Sequence, residues 1–209
     1  FEMIEVSSLR FFIRGISHAA MDLYELVHND AIEVLISRSP NDPNPILIPP
    51  SVIGQVGLEE HECVFPAQPR TFSGYRLLTE YFAAPEKFMF FDVKGFSPDE
   101  LAGFGDCLHL FILTKLHVGA VDQFVEPDTI RIGCTPMVNL FEHRCEPLRV
   151  NFAKHQYHVI PDARRPRAFE VYKVTDVTAI DSERDEKIFH PFYSVRHADE
   201  QRARRGFYH

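Results

Sequence analysis

Cys134, His143 and Cys145 lie close together in the chain. His61 and Cys63 form a second local pair, and His155 and His158 are three apart. Thiolate and imidazole are the side chains that hold zinc, and a cysteine beside a histidine is also the pair that makes a nucleophile. Structural zinc, however, uses paired short spacings of the C-x2-C kind, which none of these groups has. In a chain with 11 histidines some fall near cysteines by chance. A Cys134–His143 nucleophile needs the fold to bring the two together with the thiol partly exposed. Ser73 sits in F-S-G-Y, without the G-x-S-x-G elbow, and reads as a helix cap. Glu59-Glu60 and Asp185-Glu186 lie in polar connections and read as solvated surface rather than an acid–base dyad. Neither common phosphate-cradling glycine pattern is present. A metal- or Cys/His-dependent hydrolase using Cys134, His143 and Cys145 therefore stands as the alternative reading, not the leading one.

Two other stretches suit binding better than catalysis. PDARRPR (Pro161–Arg167) sets Arg164, Arg165 and Arg167 between strand candidates, where their planar forks suit the carboxylates of a partner. FHPFY, with Phe189, Phe192 and Tyr193, follows a polar run and reads as a docking segment or a returning edge strand. A module that stacks sugars or peptides on Tyr75 and Tyr81 is a further possibility, weakened by the absence of tryptophan.

The totals narrow the classes. A chain of 209 residues, 45% hydrophobic and 25% charged, is globular and long enough to bury a core. Its net charge of −8 argues against nucleic-acid or anionic-membrane binding, which needs clustered Lys and Arg. The basic run Arg202–Gly206 reads as a solvated end. No apolar run approaches the roughly 20 residues of a membrane helix, so direct membrane insertion is not expected. Four cysteines show no disulfide framework and read as free thiols. The chain opens on Phe1 in what reads as the inside of a strand, which suggests a central fragment of a longer chain.

The elements that would position these residues follow from periodicity. Leu9–Ile13 reads as a buried strand. Ser17 caps a helix with Ile16, Ala19, Ala20, Leu23, Tyr24 and Val27 on one face, and Asp22 lies near its positive end. Ala31–Ser37 returns as strand. Five prolines make Ser39–Pro50 a loop with at most an edge strand inside it. In Thr71–Phe96, Tyr75, Leu78 and Phe82 give a helix face, Pro85 stops the helix, and Lys87–Val93 reads as a strand covered on both sides. The core accounts for most of its aromatics. Cys107–Leu116, Gly119–Val125, Thr129–Cys134, Gln156–Ile160 and Ala168–Ile180 read as strands joined by short turns, hence antiparallel. The expectation is an α+β fold of mainly antiparallel strands, in one domain or two lobes: a helix-bearing 1–125 and a strand-rich 126–209.

GYRLLTEYFAAPEKFMFFDVKGF, GCTPMVNLFEHRCEPLRVN, YHVIPDARRPRAFEVYKVTDV and PFYS followed by His197 resemble the TssF family, also called ImpG or VasA, of type VI secretion baseplate subunits. LRFFIRG with its LYELV helix, and ILIPPSVIGQVGLEE, resemble the segment preceding them, so the likeness is collinear over essentially the whole chain. Ala84 stands where relatives tend to carry a bulky aromatic, and Cys145 where a small residue is usual. The resemblance implies a non-enzymatic structural role, similar to the wedge proteins of contractile phage baseplates. It implies TssG, TssK and a second TssF copy as partners, no catalytic residue, no cofactor, and a place in the bacterial cytoplasm at the inner-membrane-docked baseplate.

Overall fold

The computed structural model describes residues 7–66, 72–97, 101, 104–151, 153–180, 185–191 and 206–208. The chain divides into two compact units, Phe1–Val138 and Asn139–His209.

In the first unit β1 (Ser8–Ile13) leads through α1 (His18–Asn29) to β2 (Ala31–Ser37), the strand–helix–strand order the periodicity predicts. Ser17 caps α1 as expected, its Oγ accepting from the Ala20 N–H at 3.3 Å. β3 (Ile46–Ile48) is a short edge strand in the proline-rich loop, followed by β4 (Ile53–Gln55). α2 (Ser73–Ala83) stops before Pro85, which opens a 3-10 turn over Pro85–Phe88 and leads into β5 (Phe90–Lys94). β6 (His109–Thr114), α3 (Gly119–Phe124) and β7 (Ile130–Ile132) complete the unit.

Two antiparallel sheets result, one in the order β4-β5-β1-β7 and one in the order β3-β2-β6. The segment after Val125 stays with this unit because β7 pairs with β1. Phe90, Phe91, Asp92 and Val93 of β5 are all buried, as a strand flanked on both sides and covered on both faces requires. Ala20, Leu23 and Val27 of α1 share one core with Ile13, Phe91 and Val93 of one sheet and Val34 and Ile36 of the other. Each of the larger of these side chains, from valine to phenylalanine, contributes about 1.5–3 kcal/mol on burial.

In the second unit β8 (Val177–Ile180) and β9 (Glu186–Pro191) pair antiparallel, and β10 (Gly206–Tyr208) joins β9 in parallel. The architecture is thus α+β with mainly antiparallel strands. Between Ile130 and Pro191 none of the residues whose burial is described is fully buried.

Several expectations are corrected. Gly119–Phe124 is a helix rather than a strand, because one turn is enough to lodge Val121 in the core. Gln156–Ile160 and Ala168–Asp176 form no ladder among the described residues, since alternation makes a strand only where an edge offers backbone partners. Ser73 is the first residue of α2 and makes no cap bond; Phe72 occupies the cap position. The largest correction concerns the α2 face expected in the core. Tyr75 is 68% exposed and Phe82 77%, with Phe72, Leu78 and Tyr81 also exposed, while the buried residue of the helix is Glu80.

Candidate interaction surfaces

The charged groups of the first unit are organised as ties between elements. Glu80 has a fully buried side chain and faces the equally buried Lys87 ammonium. Its Oε1 accepts the N–H groups of Val64 (2.9 Å) and Phe65 (3.1 Å), which clamps that loop to α2. Burial by itself would raise the Glu80 carboxyl, but Lys87 and the two N–H donors outweigh it and hold the group below the ordinary carboxylate value. On the sheet, Arg10 of β1 forks onto its cross-strand partner Asp92 of β5, at 2.7 and 2.9 Å, and reaches Glu62 at 3.3 Å. Glu62 turns its other oxygen to the Gly57 N–H at 2.7 Å.

His61 and Cys63 line a polar depression with Arg10, Glu62 and Lys87, in which Arg10 is already paired with Asp92 and Glu62, and Lys87 with Glu80. Nothing there is arranged as nucleophile and base. Cys134 is partly buried, with its Sγ 3.8 Å from the Ile132 carbonyl. It belongs to the first unit, and His143 and Cys145 to the second. His143 is occupied as a packing residue: its ring stacks on Phe169 at 5.0 Å and 12°, and Nε2 donates to the Pro161 carbonyl at 3.1 Å. Among the described residues no group of three or more His, Cys, Asp or Glu is placed to hold a metal.

The arginine loop of the second unit is ordered by an acid that sequence reading passed over. Asp162 Oδ1 accepts the Arg164 backbone N–H at 2.8 Å, and Oδ2 accepts Arg165 Nε at 3.0 Å. The Arg164 N–H, then Arg165, hold the Asp162 carboxyl below the usual range. Arg165 lies over the Phe169 ring at 5.4 Å. Arg164 and Arg167 are exposed, and neither side chain has an ion pair or hydrogen bond among the described residues. The signal for Asp162 was in the sequence, since an Asp two residues before a loop N–H is the pattern of an Asx turn.

Phe189 lies in β9 opposite Val177, partly buried. Phe192 and Tyr193 lie outside the described residues. Exposed apolar side chains include Phe141, Val150, Tyr172, Ile180 and Ile188 in the second unit and the α2 group in the first. No described helix is long and apolar enough to cross a membrane.

An α+β chain whose charges tie its own elements together, and whose α2 presents Tyr75, Tyr81 and Phe82 outward, carries exposed apolar surface of the kind that interactions cover. The family model described as "Type VI secretion system, TssF" matches residues 1–209, and the chain belongs to the TssF family. It is 32% identical over 196 residues to the type VI secretion system component TssF1 of Pseudomonas aeruginosa, covering 94% of this chain and 31% of that protein. It therefore spans about a third of the length of this curated relative. Its fold is similar to a chain in the cryo-electron microscopy structure of a type VI secretion system TssK-TssF-TssG baseplate subcomplex, with a TM-score of 0.59 and 23% identity, over 90% of this chain and 35% of that one.

Proposed function

We propose that the protein is a non-enzymatic structural part of a type VI secretion baseplate, acting as a TssF-like wedge component in the cytoplasm that supports assembly of the contractile tail. Family membership gives the system. The observation that carries the mechanical role is the exposure of Phe141, Val150, Ile180 and Ile188. Apolar side chains exposed in this number mark a surface that another protein surface covers. The exposed aromatic side of α2 in the first unit supports the same reading.

The partners of this reading are TssG-like and TssK-like proteins and a second TssF copy. Contacts are assigned to the loop carrying Arg164, Arg165 and Arg167, and to the segment of Phe189, Phe192 and Tyr193. No cofactor enters the role. The test is a tagged pull-down from the native host with mass-spectrometric identification. Co-elution of TssG-like and TssK-like proteins in fixed ratio is expected. Background only, from cells that express those proteins, overturns the proposal.

A further inference from the structure

The three arginines of Pro161–Arg167 are not equivalent, and the difference lies in what each already holds. Arg165 is spent inside the loop: its Nε lies on Asp162 at 3.0 Å and its guanidinium covers Phe169 at 5.4 Å. Phe169 in turn stacks on His143, whose Nε2 donates to the Pro161 carbonyl. Backbone bonds from the Arg165 N–H to the Asp162 carbonyl (3.3 Å) and from the Ala168 N–H to the Arg165 carbonyl (3.0 Å) close the turn. The loop is therefore built before any partner arrives. Arg164 and Arg167 project from it exposed, with no acid matched to either among the described residues.

We infer that this loop is a preorganised docking site for a carboxylate-bearing segment of a protein partner, with Arg164 and Arg167 as the contacting residues and Arg165 as a positioning residue. The inference rests on the baseplate reading above and adds the partner's chemistry and the division of labour. A free guanidinium presents a planar fork that takes a carboxylate through two parallel hydrogen bonds. A loop fixed beforehand loses little conformational entropy when it binds. A protein acid fits better than nucleic acid, because two free guanidinium groups neutralise few phosphates and a chain of net charge −8 repels a polyanion.

The test measures the affinity of the complete chain for a purified TssG–TssK partner from the same source as salt is raised. Four forms are compared: wild type, the double variant Arg164→Gln/Arg167→Gln, Arg165→Gln and Arg165→Lys. The double variant should bind about tenfold more weakly at low salt and show a flattened salt dependence. Arg165→Gln should weaken binding by a similar factor at every salt concentration. Arg165→Lys should behave like Arg165→Gln, since the ammonium keeps the charge but lacks the planar fork and stack. All three sites are exposed and loop-borne, and unchanged circular dichroism confirms folding.

Wild-type affinity in the double variant overturns the docking site while leaving the baseplate reading intact. Rescue by Arg165→Lys overturns the positioning role. Absence of wild-type binding overturns the baseplate reading and the site with it. Equal binding of a DNA duplex, lost in the same double variant, overturns the choice of a carboxylate partner.

Discussion

Replacing Glu80 by alanine should be among the most damaging single changes available in the first unit. The carboxylate is fully buried, faces buried Lys87 and takes two backbone N–H groups, those of Val64 and Phe65. Removing one member of a buried ion pair strands the other charge and costs about 3–5 kcal/mol. Each N–H left without an acceptor adds about 1–3 kcal/mol unless the loop moves to water. These terms overlap, because one relaxation relieves both, so the expected loss is about 4–5 kcal/mol against a total domain stability of about 5–15 kcal/mol. Urea unfolding followed by far-UV circular dichroism measures it. The double variant Glu80→Leu/Lys87→Met should recover a large part, since it no longer buries a lone ammonium. The wild-type pair also sets an acid limit. The folded carboxyl lies below its ordinary value of 4.5, so its stabilisation is complete above 4.5 and is lost as pH falls through the lower folded value. A cost for Glu80→Ala below about 1 kcal/mol, or strict additivity in the double variant, would refute the coupling.

Other perturbations separate backbone, titration and surface effects. Gly57 has a φ of +96°, and a Cβ there would meet the Lys87 carbonyl oxygen at 3.0 Å; Gly57→Ala should cost about 2 kcal/mol in the same unfolding assay. Burial lowers the His28 pKa below 6.5, and its Nε2 has no hydrogen-bond partner among the described residues. The unfolded state therefore takes up the proton first, so stability is full above 6.5 and falls as pH drops below it; His28→Phe should flatten that decline in melting curves between about pH 7.5 and 5.5. Phe82 is 77% exposed, so Phe82→Ser should change the stability of the isolated chain by less than about 0.5 kcal/mol while reducing partner recovery in the pull-down. Equal stability and equal recovery would remove α2 from the assembly surface.

Local periodicity was enough for β1, α1 and β2, where one face of each element meets the shared core and the Ser17 cap marks the helix start. It failed at α2. The spacing of Tyr75, Leu78 and Phe82 defines a stripe but not what covers it, and here the helix docks through Glu80 instead. A buried carboxylate is visible only once the N–H donors that satisfy it, sixteen and fifteen residues earlier, are folded against it. The same limit explains Gln156–Ile160 and Ala168–Asp176, where alternation had no neighbouring edge to satisfy. For the candidate site, the position of the arginines was legible from composition. Their unequal roles were legible only in part: Asp162 has the spacing of an Asx turn, but the packing of Arg165 on Phe169 and of Phe169 on His143 is not encoded in spacing.

The exposed apolar side chains of the second unit also bear on how much of the protein a cell would keep. Exposed apolar side chains such as Phe141, Val150, Ile180 and Ile188 present, while uncovered, the features that chaperones and proteases recognise. Each copy outside an assembly would then be short-lived, and each incorporated copy protected. Subunit numbers would be matched to available partners by turnover, without a dedicated regulator.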